Sequence, residues 1–432
     1  MSVLPVKVSA RAFAGFAFLL GALAPSTSRA QSALATPAQA ASEAGLPDPF
    51  LMASGRRVAT LEDWALRRTE LRKFILDAEY GHAPAAPDNL QATVTSTLSA
   101  LGGKATETRL RLALGPQRKV VISVRLLVPV GKGPFPVILR NDDALGRMAV
   151  PEEAIARGYI VAEFVRTEVA ADQAGRDGTF SLYPDYDWGV LSAWAWGFSR
   201  VVDYLLTLDS VDPKRIAITG HSRGGKTTLL AGALDERIAL TAPAGSGTGG
   251  CAVFRFPGNG SETLAAITGR FGYWFVPGLA EYAGREASLP FDQHEVKALV
   301  APRALLCEDA TGDPVGNPRG AQRSHWAARE VYRFLGVPGK IGIHMRTGGH
   351  EQNADDIRAL LDFADRQFFG KATKRNFDST YYADLDPGFT WSAPKTVRLA
   401  ERRANMTAPG PGAGTRNRDW TGRIRAWRKP TR

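Results

Sequence analysis

Cysteine is almost missing: Cys251 and Cys307 are the only two in 432 residues. That allows at most one bridge and excludes a fold stapled by a disulfide framework. Histidine is nearly as sparse, at six residues, and His82, His221, His325 and His344 stand without metal-ligand spacing. No metal and no cofactor is expected. Long apolar runs are lacking too. The one candidate, Ala12 to Ala24, is 13 residues, against the roughly 20 a spanning helix needs. Lys7 and Arg11 precede it and Ser28-Arg29-Ala30 offers small residues at a cleavage point. The segment 1–30 therefore reads as a secretory signal cleaved near Ala30, giving a periplasmic or secreted protein with no stable membrane span. An exported chain meets an oxidising compartment, so the two cysteines could pair; two buried thiols are an equal alternative.

Acidic residues are in deficit, 43 against 54 Lys and Arg, a net charge of +11. Spread over a fold, that would suggest nucleic acid. Here it is concentrated: from Lys395 to Arg432 there are eleven Lys and Arg against Glu401 and Asp419, a net of +9. The body is nearly neutral, and no nucleic-acid partner is expected. The tail is poor in aliphatics and carries Pro409-Gly-Pro-Gly-Ala-Gly414, so residues 371–432 are expected to be a basic, disordered extension. Residues 31–45, rich in Ala and Ser, read as a linker. This leaves 46–370 as the folded domain, a size that single α/β enzymes reach.

Within that domain, the informative stretch is Arg215-Ile-Ala-Ile-Thr-Gly220-His-Ser222-Arg-Gly224-Gly-Lys226-Thr. Read as G-x-S-x-G, it is a nucleophile elbow, with Ser222 on a sharp turn between strand and helix. Read as G-x-x-x-x-G-K-[ST], with Gly220, Gly225, Lys226 and Thr227, it is a P-loop. Both need a strand before and a helix after, and Ile216 to Thr219 and Lys226 to Leu234 supply them. The downstream order decides for the elbow. Asp313 follows the apolar run Ala304 to Cys307, and His350 follows Ile341 to Met345 through Thr347-Gly-Gly349. Serine, acid, histidine is the hydrolase order. A P-loop, moreover, follows the first strand of its domain, and here Val120 to Val128, Pro136 to Leu139 and Tyr159 to Phe164 come earlier.

Thr60-Leu-Glu-Asp63 reads as a capped helix start running towards Tyr80. Val94 to Leu98, Thr108 to Leu112 and Val120 to Val128 alternate as an antiparallel region, after which strands and helices take turns up to Phe369. That alternation predicts βαβ units around a mainly parallel sheet. Asp187-Trp188, Trp194 and Trp196 fall on a helix predicted to end at Leu206, with the tryptophans in the core. His294 reads as structural. Trp274 and Asp292 have no assignment from spacing.

Several blocks occur in an order that resembles the glucuronoyl esterases of carbohydrate esterase family 15, the bacterial members in particular. They are Leu46-Pro-Asp-Pro49, Tyr186-Asp-Trp-Gly189 with Ala193-Trp-Ala-Trp196, Gly220-His-Ser-Arg-Gly-Gly-Lys226, Asp235-Glu-Arg237, Ser246-Gly247 with Gly249-Gly250, Asp292-Gln-His-Glu295, Ala301-Pro-Arg303 and Gly348-Gly-His350. The resemblance implies an α/β-hydrolase fold, a three-layer sandwich with a mainly parallel central sheet and some antiparallel strands at its N-terminal side. It implies a serine ester hydrolase cleaving esters of 4-O-methylglucuronic acid on xylan, with Ser222 as nucleophile, His350 as base, Arg223 as oxyanion residue, and Lys226 and Glu262 as sugar-binding residues. Two positions depart from the pattern. Gly245 stands where many members carry the acid, which shifts that role to Asp313, with Glu308 and Asp309 as alternatives; Val315 stands where a sugar-packing tryptophan is common. The loop Arg140-Asn-Asp-Asp143 also departs from the usual glycine-rich pattern. Another carbohydrate ester, such as acetylated xylan, and a non-catalytic sugar-binding relative stay open. The expected partner is a carbohydrate ester, and the expected state a monomer.

Overall fold

Thr60 caps the first helix as its sequence predicts. Its side chain accepts from Asp63 N–H and the Asp63 carboxylate reaches back to the cap backbone, closing a capping box on α1 (Leu61–Ile75). The helix continues as one π-helical turn over Leu76–Tyr80. The computed structural model describes residues 45–395. The expected signal sequence and nearly all of the expected linker lie outside the described residues, as does the chain from 396 on.

Nine strands follow: β1 (Gln91–Ala100), β2 (Ala105–Leu114), β3 (Val120–Pro129), β4 (Phe135–Asp142), β5 (Ile160–Val165), β6 (Val211–His221), β7 (Leu240–Ala244), β8 (Ala304–Ala310) and β9 (Ile341–Arg346). They form one sheet in the order β1-β2-β3-β5-β4-β6-β7-β8-β9. The pairs β1/β2, β2/β3 and β3/β5 are antiparallel, and every pair from β5/β4 to β8/β9 is parallel. The helices between them are α2 (Pro151–Ala156), α3 (Thr179–Leu182), α4 (Val190–Leu205), α5 (Arg223–Leu234), α6 (Leu264–Phe271), α7 (Gln293–Val300), α8 (Pro318–Phe334) and α9 (Ala354–Phe369).

Side-chain alternation along the strands divides the core in two. Val137, Leu139, Ile160, Ala162, Ile216, Ile218 and Leu305 face the layer built by α1, α4, α5, α7 and α8. Their neighbours Ile138, Val161, Ala217 and Leu306 face the opposite layer, where Ile155 of α2 and Ile357, Leu360 and Leu361 of α9 meet them. This is the three-layer arrangement expected. Trp188, Trp194 and Trp196 are core residues, although Trp188 precedes α4 instead of sitting on it.

The domain boundary expected at Gly370 is corrected. The described chain continues to Lys395, packed on the fold: Phe377 is buried with its ring 4.9 Å from that of Phe363, its carbonyl accepts from Ile343 N–H, and Trp391 stacks on Phe389 while donating to the Leu46 carbonyl at 2.8 Å. The apolar residues of this segment are spaced without helical or strand period, so pattern reading misses them. Among the described residues no helix is long and apolar enough to cross a membrane, and no cluster of His, Cys, Asp and Glu is grouped to hold a metal.

Candidate active site

Strand β6 ends in a turn too tight for side chains. A Cβ on Gly220 would lie 2.3 Å from Asn141 Nδ2 and 2.7 Å from the Gly224 carbonyl, and one on Gly225 2.6 Å from the Ala244 carbonyl. The glycines let β6, α5 and the end of β7 approach one another. Ser222, at the tip, takes φ +56° and ψ −120°, a left-handed conformation that costs a non-glycine residue on the order of 1–3 kcal/mol. Its N–H donates to the Ala244 carbonyl and its own carbonyl accepts from Lys226 N–H, which pins the turn from both sides.

Loops after β8 and β9 bring the other two groups in. His350 Nε2 lies 2.9 Å from Ser222 Oγ, and His350 Nδ1 lies 2.7 Å from Asp313 Oδ2. The His350 side chain is 32% exposed and that of Asp313 only 2%, so the imidazole faces solvent while its carboxylate partner stays dry. Burial acts to raise the Asp313 pKa; the hydrogen bonds from His350 and from the Gly316 and Val315 amides outweigh it and hold the carboxyl below its ordinary value. The alternative acids stand elsewhere. Glu308 is buried and accepts from Gln352 Nε2 at 3.3 Å, and Asp309 makes no side-chain hydrogen bond among the described residues. Gly245 has φ +51°, and a Cβ there would lie 3.0 Å from His221 Nε2 and 3.8 Å from His350 Cε1. The ring of His221 thus occupies the flank of His350, 4.7 Å away between centroids. Burial, then the neighbouring His350, push the His221 pKa down to about 4, so it is neutral.

Arg223 is the first residue of α5, where a backbone N–H has no partner within the helix. Its guanidinium turns to Asp172, a residue on the loop after β5. Asp172 Oδ1 also accepts from Trp274 Nε1 at 2.8 Å and Tyr273 OH at 3.1 Å. Above the guanidinium lie Trp274 and Phe271, with Cζ 5.1 and 5.4 Å from their centroids, and the two rings stack at 4.0 Å. Lys226, one turn along α5, is buried; it donates to the Ser246 carbonyl at 2.6 Å and stands 3.6 Å from Glu262 Oε2. Burial pulls its pKa down. Behind it Glu79 is wholly buried with both oxygens 2.9 Å from Gln293 Nε2, and burial raises its pKa to about 8. The structure brings together Ser222, His350 and Asp313, and beside them Arg223, Lys226 and Glu262.

Asp172, Tyr273 and Glu79 had no signal in the sequence: they come from a loop, a single 3-10 turn and the π-helical turn after α1, and no motif spacing links them to Ser222. Asp292 and His294 are structural. Asp292 caps α7 and accepts from Phe254 N–H at 2.8 Å, and His294 donates to the Pro47 carbonyl at 2.9 Å. Cys251 and Cys307 are both buried free thiols, Cys251 Sγ–H donating to Cys307 Sγ at 3.1 Å.

A family model described as "Glucuronyl esterase, fungi" matches residues 115–336. "Carbohydrate esterase MZ0003" from an unknown prokaryotic organism is 32% identical over 76% of this chain and 90% of its own length. A 4-O-methyl-glucuronoyl methylesterase of Neurospora crassa is 32% identical over 71% of this chain and 76% of its own. Among solved structures, a carbohydrate esterase family 15 glucuronoyl esterase from Caldicellulosiruptor kristjansonii has a TM-score of 0.70 and 32% identity, covering 81% of this chain and 97% of that one.

Proposed function

The chain belongs to the glucuronoyl esterases of carbohydrate esterase family 15, and from that premise we propose that it hydrolyses esters of 4-O-methylglucuronic acid through Ser222, His350 and Asp313. The observation that carries the reading is the unbroken line from Ser222 Oγ through His350 to Asp313, at 2.9 and 2.7 Å, with the serine on a strained turn. A hydroxyl is a weak nucleophile, and His350 Nε2 is within reach of its proton. As Oγ attacks the ester carbonyl, His350 takes that proton, and Asp313 holds the imidazole with Nδ1–H towards it and offsets the imidazolium charge. Negative charge collects on the former carbonyl oxygen. The Arg223 N–H, at the positive end of α5, is the donor placed for it; one such donor is worth about 3–4 kcal/mol. Collapse returns the His350 proton to the departing alcohol and leaves the uronoyl group on Ser222. A water deprotonated by His350 then releases the uronic acid. Lys226 and Glu262 form the polar wall that receives sugar hydroxyls.

The substrate partner on this reading is a glucuronoxylan or lignin-carbohydrate fragment. The test is turnover of benzyl glucuronate beside an acetylated sugar and p-nitrophenyl acetate, with wild type and Ser222→Ala. Preferential cleavage of the glucuronate, lost in Ser222→Ala, is the expected result. Cleavage of acetyl esters alone would discard the uronate assignment and keep a serine esterase. Val315, 38% exposed at the position where the resemblance places a sugar-packing tryptophan in many members, is the observation that favours this second outcome.

A further inference from the structure

The reaction turns a neutral ester into an anion, and Arg223 sits beside the serine where that anion is made. A lone guanidinium there would hold the product carboxylate more tightly than the ester it came from. In this chain the guanidinium is not alone. Asp172 pairs with it directly, and its carboxylate is kept in place by Trp274 Nε1–H at 2.8 Å and Tyr273 O–H at 3.1 Å. The segment carrying Asp172 is itself anchored, since the Ala170 carbonyl accepts from buried Trp194 Nε1 at 2.8 Å and the Val169 carbonyl accepts from Thr179 Oγ1. The stacked Trp274 and Phe271 rings lie against the guanidinium, with Cζ 5.1 and 5.4 Å from their centroids.

We infer that Asp172 is a positioning and selectivity residue: paired to Arg223, it cancels the standing positive charge at the ester site, so that the enzyme binds the neutral ester in preference to the uronate it releases. The inference rests on the esterase reading. The oxyanion keeps its own donor in the Arg223 backbone N–H, whereas Asp172 pairs with the side chain. What Asp172 removes is affinity for a permanent anion. The side chains of Arg223 and Asp172 are 36% and 17% exposed, so the effect of the missing charge is moderated by solvent and is expected to be about tenfold in product affinity.

The experiment measures binding of glucuronate and of methyl glucuronate to Ser222→Ala, alone and combined with Asp172→Asn or Tyr273→Phe, by calorimetry at neutral pH. Asp172→Asn should tighten glucuronate about tenfold and leave the methyl ester within about twofold; in the otherwise wild-type enzyme the same change should appear as stronger product inhibition with KM nearly unchanged. Tyr273→Phe removes a contact and keeps the charge, so the acid-to-ester ratio should stay where it was. An unchanged ratio in Asp172→Asn, or an equal shift in Tyr273→Phe, overturns the inference. Ser222→Ala alone gives a reading that needs no further variant: glucuronate bound more than about tenfold tighter than its methyl ester would show that Asp172 exerts no such control. Benzyl glucuronate turnover by wild type is scored separately. Its absence sinks the esterase reading, whereas turnover with an unmoved ratio sinks only the role of Asp172.

Discussion

Replacing Asp313 by asparagine tests the site at its most economical point, because the change removes a charge and keeps the shape. His350 Nδ1 has one acidic partner, Asp313 Oδ2 at 2.7 Å. An asparagine there lowers its energy by turning its NH2 to Nδ1, the one side-chain contact the carboxylate makes among the described residues. The imidazole must then carry its proton on Nε2, the atom 2.9 Å from Ser222 Oγ, and cannot accept the serine proton. Loss of the charge also removes the partner of the imidazolium. Together these effects are worth on the order of 10³ to 10⁴ in kcat, or about 4 to 5.5 kcal/mol of barrier. KM should hardly change, since Asp313 is buried and lies behind His350. Steady-state kinetics on benzyl glucuronate, with thermal unfolding to verify the fold, supply the measurement. Glu308→Gln and Asp309→Asn are the controls and should stay within a few-fold of wild type. An Asp313→Asn enzyme within tenfold of wild type, or a Glu308→Gln enzyme equally crippled, would refute the reasoning.

Gly220→Ala should cost about 1–3 kcal/mol of stability and most of the activity, since its Cβ has only 2.3 Å to Asn141 Nδ2 and 2.7 Å to backbone; Gly269→Ala in α6, with open space around it, should be neutral or slightly stabilising. Chemical denaturation of both compares them, and equal effects would mean the elbow is not tightly packed. Stability should also fall as pH rises from about 6.5 towards 8. Glu79 is raised to about 8 by burial, so its contribution is full below the unfolded carboxyl range near 4.5 and is lost as pH climbs through 8; buried Glu308 and Asp309 are shifted in the same direction. Buried His294 and His325 are pushed down to about 4, so their contribution is complete above about 6.5 and cannot compensate. The slope in calorimetric Tm over this window should flatten in Glu79→Gln, and a flat wild-type profile would contradict the assignment.

The parts of this molecule that sequence could reveal are those specified by neighbours in the chain. Ser222 is flanked by glycines because backbone crowding at one turn demands them, and that demand is written within five residues. Strands β4, β5, β7, β8 and β9 are short apolar runs buried on both faces because a helix layer covers each side, so a local pattern reports a global arrangement. That His350 and Asp313 meet Ser222 is legible because each follows a strand directly, and in a parallel sheet the strand ends converge on one edge. The segment 371–395 was misjudged for the opposite reason. Phe377, Phe389 and Trp391 are positioned by partners far away in the chain, Ile343, Phe363 and Leu46, and nothing in their own spacing records it.

The same distinction explains why the serine's surroundings were less legible than the serine. Arg223 was visible as its neighbour, but the direction of its guanidinium depends on Asp172, 51 residues upstream, and on Tyr273 and Trp274, about 100 residues beyond Asp172. Each comes from a loop or a single 3-10 turn that need only reach one point in space, so selection at these positions acts on placement and leaves no period. On the proposed reading, reaction type follows from the elbow and its two partners, which topology fixes. Which ester, and how firmly its product is held, follows from the loops around Arg223, which topology leaves free. The activity of this chain is therefore expected to be robust to changes in the helices beyond the first turn of α5, and its selectivity to change first at Asp172, Tyr273 and Val315.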